Sequence, residues 1–585
     1  MEGYFPENKS LLSLKSEEIG YSEINVTFHS IIQVENDKRH KQSLTVYIPY
    51  PMESKRQNVS LNVYMEISNS TYNINSSNCN CSDYFCCEIV NEKFDTKRVK
   101  ITFKVPKGIF NLSYNVVEKV RINNTIPVTS LNITANIAQN RTLYQYLKQY
   151  LKYDEWANYD ENIKNFAINL TKNLSSDFEK VSKIATWIYN NIEYDLSKAD
   201  VFQNSSETFS SRKGVCTHFT NLFLSMCRSI GIPARGIAGE IFNETDYISG
   251  HAWAEVFIDD WYPVDPTFGE IGIVDSGRVA FSSDLSVSTL LYFDMDATHL
   301  KLIDWSIEPE KTDVIDAKKF ENLINLTPDY EWINKTISND IINGTLKIIA
   351  EIFRLDFPYN ILGMISIIPP IVSHLNISFI INETTNYFIL EENKNSTNVT
   401  FVLNVTNINL SENIDYIFPI VVHSLLSNVS ILNVTTFPKF LTLINLKAEG
   451  NNYTINLTVK NEGLRDGYAQ LKVNFDNKLY EQENLFIEGT KQNSTQFSFN
   501  DVKGFHTVEI FVNENKFRFV IGSCKGDVNL DYKIDLNDAF ELMEILSNVE
   551  EINFANTQKE CIDFDNNDFV DVFDVVGILE YLANI

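Results

Sequence analysis

Cys216, His251 and Asp265 are the residue types of a thiol nucleophile, its base and a carboxylate to orient that base, in that order along the chain. Cys216 stands in "SSRKGVCTHFTNLFLSMCRSIGIPAR" (210–235), at the start of an apolar-periodic run that predicts a helix ending at Gly231-Ile232-Pro233. A helix N-terminus favours a thiolate, because its amides are unpaired and its dipole is positive there. Cys227 falls deep in the same helix among Leu224, Met226 and Ile230, where a thiol is inert core. His218 is two positions from Cys216 and so points to another face of the helix, which makes it a poor base. His251 lies in "SGHAWAEV", a strand whose alternation puts Trp253 and Glu255 on the same face. Asp265 opens "DPT" on the next expected strand, from which it can reach the imidazole, fix its tautomer and stabilise its charged form. Taken as residue types alone, a buried thiol, a satisfied histidine and a turn aspartate are the better description.

A second chemistry is written near the C-terminus. "DVNLDYKIDLND" (527–538) and "DFDNNDFVDVFD" (563–574) share oxygen side chains at loop positions 1, 3, 5, 9 and 12, with an apolar residue at position 8 (Ile534, Val570). Such offsets let a twelve-residue loop wrap a hard cation in oxygens alone. The expected ligands are Asp527, Asn529, Asp531, Asp535 and Asp538, then Asp563, Asp565, Asn567, Asp571 and Asp574, with the backbone carbonyls of Lys533 and Phe569. Two calcium ions are therefore expected, one per loop. Position 12 is Asp where Glu is usual, and position 6 is Tyr532 or Asp568 where Gly is usual. An apolar helix follows each loop ("AFELMEIL", "VVGILEYL").

The elements that must position these residues belong to a multidomain α+β chain of 585 residues, 44% hydrophobic and 22% charged. Alternating strands over 21–135 predict an N-terminal β-sandwich domain (1–140). Helical spacing from 141 followed by strands predicts an α+β domain over 141–310. Residues 311–435 read as a mixed helical and β domain, with 311–365 partly helical. Residues 436–522 read as a further β-sandwich and 523–585 as a small all-α module. The net charge of −28 and the lack of a basic stripe argue against nucleic-acid binding. No run is long and apolar enough for a membrane span; "ILGMISIIPPIV" (361–372) is short and broken by two prolines. The start, "MEGYFPENKS", lacks the apolar region of a signal peptide. Yet 28 Asn-x-Ser/Thr sequons run from Asn8 to Asn493 and stop where the acidic module begins, which points to a secreted or cell-surface glycoprotein. In that setting "CNCSDYFCC" (Cys79, Cys81, Cys86, Cys87) reads as a disulfide-tied loop, adjacent Cys86 and Cys87 bonding to different partners.

"KGVCTHFTNLF", "GIPAR", "GHAWAEVFI" and "WYPVDPT" in succession resemble the transglutaminase-like superfamily, whose core is papain-like, over roughly residues 145 to 305. By position the resemblance implies that Cys216 is the nucleophile, His251 the general base and acid, and Asp265 the orienting carboxylate. It further implies an oxyanion hole formed in part by the Cys216 amide, with Tyr194 of "NIEYD" as the candidate second donor, and structural roles for Arg235 and Trp253. Catalysis of this kind needs no metal. The implied substrate is a glutamine carboxamide or peptide bond of a protein, with crosslinking, deamidation and proteolysis all open. The acidic tail looks like a dockerin, which implies a cohesin domain of a scaffold or surface protein as partner. Cys524 and Cys561, at similar distances before the loops, would form its clasp. "INLTVKNEGLRDGYAQLKV" with "GFHTVEIFVN" resembles a CARDB-type Ig-like adhesion domain, a spacer. The combination implies an archaeal or bacterial surface enzyme. A surface protein with an inactive transglutaminase-like scaffold is the alternative.

Overall fold

The computed structural model describes residues 19–67, 70–75, 81–122, 128–133, 140–242, 247–272, 276–287, 294–307, 311–319, 323–355, 357–370, 377–381, 383–423, 429–449, 452–500, 502, 506–521, 526–528, 534–547, 562–564, 567 and 569–583. The chain is strand-rich and multidomain. Its first unit is a two-sheet sandwich. One sheet runs in the order Lys301–Ile307, Ile19–Asn36, Gly108–Ile122, Gln57–Ile67, Ser70–Asn75, with Lys311–Lys319 also paired to Ile19–Asn36. The other runs Asp294–Asp296, Gln42–Tyr50, Lys97–Val105, Phe85–Asn91. Alternation along Gln57–Ile67 buries Leu61, Val63 and Met65 against Val46, Phe103 and Val116 and turns the polar residues outward. Cys81 and Cys86 are disulfide-bonded and Cys87 is bonded as well; Cys79 lies outside the described residues.

The first strand explains a departure from the expected segmentation. Ile19–Asn36 is 18 residues long, and an unpaired edge of that length would expose a row of backbone donors and acceptors. The chain covers it by returning after the α+β segment, pairing Ser30 with Ile307 and Val26 with Thr312. Residues 294–319 therefore complete the N-terminal sandwich.

Between these visits lies an α+β unit. Its helices are α1 (Arg141–Lys148), α2 (Glu161–Thr171), α3 (Asp177–Asn191), α4 (Ser205–Ser211) and α5 (Cys216–Ser229). Its strands are β1 (Glu193–Tyr194), β2 (Lys213–Gly214), β3 (Ala234–Phe242), β4 (Tyr247–Phe257), β5 (Trp261–Asp265), β6 (Glu270–Ile271) and β7 (Arg278–Asp284). Side-chain caps start α1 to α4; Ser176 and Glu179, for example, form a capping box for α3. Gly231, with φ +90°, follows the end of α5, a backbone angle that glycine adopts without strain. Five antiparallel strands make the sheet β6-β5-β4-β3-β7. Helix α5 packs on it, burying Leu222, Phe223, Met226 and Cys227 with Ala254, Val256 and Val264.

The helical content expected within 311–365 is not found. The described residues there are strands, among them Ile324–Ser338 and Ile341–Arg354, joined by Asn339 and Asp340 at φ +50° and +60°. Two positive-φ residues between paired strands are the turn that matches a hairpin's twist, and β-branched alternation overrides the weaker three-and-four spacing. Two four-stranded sheets form this unit, the second being Thr385–Leu390, Ile361–Ile367, Asp415–Val422, Val429–Thr435. Leu362 and Met364 of its strand Ile361–Ile367 enter the core of the α+β unit beside Phe178, Ile188 and Val264. Two further sheets, of three and four strands, lie between Phe440 and Ile521. At the C-terminus, helices Leu536–Ser547 and Val572–Ala583 share a small core of Val528, Ala539, Leu542, Ile562, Val575 and Ile578. Among the described residues no helix is long and apolar enough to cross a membrane.

Candidate active site

Cys216 is the first residue of α5, where the amides of a helix have no intrahelical acceptors. Two short strands hold this point. β1 pairs in parallel with β2, with Glu193 N–H donating to Arg212 O at 2.7 Å and Asp195 N–H to Gly214 O at 2.9 Å. The helix is tied to the sheet by Thr220 Oγ1, which donates to Ala252 O at 3.1 Å, next to His251. Asn221 adds two bonds to Val287, at 2.9 and 2.8 Å.

His218 has a different task. Val215 N–H donates to its Nδ1 at 3.0 Å, so Nε2 carries the proton and donates to Val201 O at 3.1 Å. Burial lowers its pKa, so the ring stays neutral. Gly214 must be glycine here, since a Cβ would lie 2.5 Å from the Cβ of His218. Cys227 is fully buried, and burial pushes its thiol pKa upward. Neither residue joins the site.

His251 and Asp265 do. In the sheet, β4 lies between β3 and β5, and His251 Nε2 donates to Asp265 Oδ2 at 2.7 Å. That bond leaves Nδ1 for the hydrogen bond between the ring and Cys216. The imidazole stacks on Trp253 at 6.0 Å and packs on Phe268 at 5.0 Å. Gly239 faces His251 across the strand pair, and a Cβ there would strike Val279 O at 2.0 Å and the Trp253 ring at 2.7 Å. Asp265 is wholly buried. Its Oδ1 accepts the amides of Thr267 at 3.0 Å and Phe268 at 3.2 Å, and its Oδ2 accepts Arg278 Nη2 at 3.0 Å as well as the imidazole. Arg278 is also ion-paired with Glu270. Burial, the largest influence on His251, lowers its pKa, but the Asp265 charge and hydrogen bond, with Cys216, outweigh it and raise the value to about 9.

Tyr194 completes the cluster. Its hydroxyl meets both the backbone N–H and the side chain of Cys216, and burial followed by the Cys216 charge pushes its pKa up, so it remains a hydrogen-bond donor. Arg235 is a clamp outside the site. Its Nε donates to Glu255 Oε2 at 2.8 Å and its Nη1 to Asp95 Oδ2 at 2.7 Å, with Trp261 4.3 Å beneath the guanidinium. It thus joins two catalytic strands to the N-terminal sandwich. Sequence reasoning missed Arg278, Glu270 and Phe268. The available signal was faint: one charged residue beginning the apolar "RVAF" and another five positions after Asp265.

In the acidic tail the structure describes Asp527, Asp535, Asp538, Asp563, Asn567, Phe569, Asp571 and Asp574; Asn529, Asp531, Lys533, Asp565, Cys524 and Cys561 lie outside the described residues. The two loops repeat one bonding pattern. Asp538 accepts the amides of Val528 and Asp535, each at 2.8 Å, and Asp574 accepts those of Phe564 at 2.5 Å and Asp571 at 2.8 Å. Among the described residues no three His, Cys, Asp or Glu side chains stand as a metal-binding group.

With His251 protonated up to about pH 9, alkylation of Cys216 by iodoacetamide should show an inflection near that pH, where the ring loses its proton. Asp265→Asn removes the charge that raises the value and should move the inflection to lower pH. Identical inflections in the two proteins would contradict this account.

Residues 164–266 match the sequence family described as the transglutaminase-like superfamily. The uncharacterized protein ML0607 of Mycobacterium leprae is 29% identical over 90 residues, which is 14% of this chain and 32% of that protein. The human kyphoscoliosis peptidase is 28% identical over 145 residues, 22% of each chain. The chain thus spans less than two thirds of the length of these curated relatives. Among solved structures, a candidate cysteine protease from Cytophaga hutchinsonii aligns with 51% of this chain and 94% of its own at 17% identity and a TM-score of 0.34. Red sea bream transglutaminase aligns with 83% of this chain and 96% of its own at 10% identity and a TM-score of 0.17. Those scores are too low to bear on activity. Residues 164–266 form a transglutaminase-like domain, a cysteine-enzyme-like scaffold.

Proposed function

We propose that the chain is a secreted or surface-exposed cysteine enzyme that acts on glutamine carboxamides or peptide bonds through a thioester. The hydrogen-bonded series Cys216–His251–Asp265, with Tyr194 at the Cys216 amide, carries this reading. Its intactness favours an enzyme over an inactive scaffold.

In the reaction Cys216 Sγ, as the thiolate, attacks the carbonyl carbon, and the C=O electron pair moves onto oxygen. We assign to that oxyanion the Cys216 N–H and the Tyr194 hydroxyl, which are bonded to each other in the resting site and would turn to it as donors. Imidazolium His251 passes its Nδ1 proton to the leaving nitrogen, the C–N bond breaks, and ammonia or an amine departs from the thioester. Neutral His251 then takes a proton from an amine or from water as that nucleophile attacks the thioester; the thiolate leaves and the imidazolium is restored. Asp265 keeps Nδ1 aimed at the sulfur throughout. An amine acceptor makes the enzyme a crosslinker, and water makes it a deamidase or protease.

Export is supported by the Cys81–Cys86 disulfide and by the outward position of sequon residues such as Asn58, Asn111, Asn334, Asn404 and Asn493. The tail is read as a dockerin bound to a cohesin domain of a scaffold or surface protein. Asp527, Asp538, Asp563 and Asp574 are buried in two loops whose donors are all oxygen, a set that fits calcium. Asp527, Asn529, Asp531, Asp535 and Asp538, with the Lys533 carbonyl, would hold one ion. Asp563, Asp565, Asn567, Asp571 and Asp574, with the Phe569 carbonyl, would hold the other. The ions supply charge neutralisation for folding and have no part in catalysis. Leu536, Phe540 and Met543 on one helix, and Val572, Val576 and Leu579 at the matching positions of the other, are exposed apolar residues suited to a protein partner.

Two experiments test the reading. Glutamine-containing protein incubated with a fluorescent primary amine should be labelled or cleaved by the wild type, while Cys216→Ala loses on the order of a thousandfold or more of that rate. Equal rates in the two proteins would remove the enzyme reading. Chelation of calcium should make residues 524–585 of the full chain protease-sensitive and leave Cys216 alkylation unchanged. A tail equally resistant with and without calcium would remove the cation from the account.

A further inference from the structure

The carboxylate that holds His251 is itself held by a buried cation. Arg278, at the start of β7, has a side chain only 1% exposed, and its Nη2 donates to Asp265 Oδ2 at 3.0 Å, the same oxygen that takes the His251 proton. A guanidinium in this position has two opposite effects. It fixes the carboxylate by a directed hydrogen bond, and its charge competes with the imidazolium for the one negative charge of Asp265. With Arg278 alone beside it, Asp265 would be neutralised as a counter-ion and His251 would lose the stabilisation that keeps it protonated.

Glu270 removes that conflict. Its side chain is 0% exposed, it is ion-paired with the same Nη2 of Arg278, and it faces Asp265 directly across the β5–β6 pair. Phe268 closes the arrangement. Its ring lies 5.5 Å from the Arg278 guanidinium and 5.0 Å from the His251 ring. Among the described residues two carboxylates and one guanidinium leave one net negative charge, and the imidazolium is the cation hydrogen-bonded to it. Gly269, at φ +78°, takes the chain between Phe268 and Glu270, and Met364 and His423 of the next sandwich lie against it.

We infer that Arg278 and Glu270 are a positioning pair for this site, Arg278 orienting the Asp265 carboxylate and Glu270 cancelling the Arg278 charge so that Asp265 remains the counter-ion of His251. The inference rests on the thiolate–imidazolium reading given above. Neither residue touches the reacting atoms.

The test is the pH profile of Cys216 alkylation by iodoacetamide, measured on the full chain for the wild type, Glu270→Gln, the double variant Glu270→Gln/Arg278→Met and Arg278→Lys, with thermal melting of each. Glu270→Gln leaves the Arg278 charge unmatched and should lower the inflection by about one pH unit, the effect of one neighbouring charge. Removing both charges in the double variant should return the inflection toward the wild-type value, which a purely structural role would not do. Arg278→Lys keeps the charge without the planar fork, so the inflection stays while alkylation slows. An unshifted inflection in folded Glu270→Gln overturns the inference, as does a double variant shifted further than the single one. Should either glutamine variant fail to fold, a shifted inflection in folded Arg278→Lys overturns it instead. A wild type with no inflection near pH 9, or with no selective reaction at Cys216, sinks the thiolate–imidazolium reading itself and this inference with it.

Discussion

The hydrogen bond from His251 Nε2 to the buried Asp265 carboxylate is the interaction on which the rest of this site depends. It decides which ring nitrogen is left for Cys216, and it supplies the charge that offsets burial of the imidazole. Buried without that carboxylate, His251 would be neutral, and the thiol would face a weak acceptor instead of a cation. Everything near the bond serves its geometry. Gly239 lets Trp253 lie flat beneath the imidazole, the Thr267 and Phe268 amides hold the far oxygen of Asp265, and Arg278 holds the near one.

The same constraint explains the wider architecture. Asp265 lies at the end of a short strand followed by a tight loop, against which neighbouring elements pack. Tyr189 of α3 and Met364 and His423 of the following sandwich pack together against it at Gly269. Elsewhere in the sheet Arg235 ties β3 and β4 to Asp95 of the N-terminal sandwich. The α+β unit is thus tied to the domains on either side of it in the chain. Its core is completed by Leu362 and Met364, residues far along the chain.

The parts legible in the sequence were those whose signal is local. Cys216 could be placed at a helix start because the apolar spacing after it and the Gly-Ile-Pro stop lie within a few turns. His251 and Asp265 could be placed on neighbouring strands because each alternates in its own short window. The strand character of 324–354 was hidden: Ile, Leu and Ala at mixed spacings fit a helix as well as a strand, and only the Asn339–Asp340 turn separates them. The return of residues 294–319 to the first sheet could not be foreseen either, since strand pairing across such a sequence distance leaves no periodic trace. Arg278 and Glu270 went unseen for the same reason. A buried ion pair is a property of two chain segments meeting, and in either segment alone it is one charged residue among apolar ones.

Nuclear magnetic resonance of the full chain with nitrogen-15 in its 8 histidines tests the central claim most directly, because the ring nitrogens report protonation without any substrate. The resonance lost in a His251→Gln variant identifies His251. The account predicts that both of its nitrogens carry protons at neutral pH and that the proton is lost near pH 9. A His251 that titrates at the ordinary histidine value of about 6.5 would contradict it.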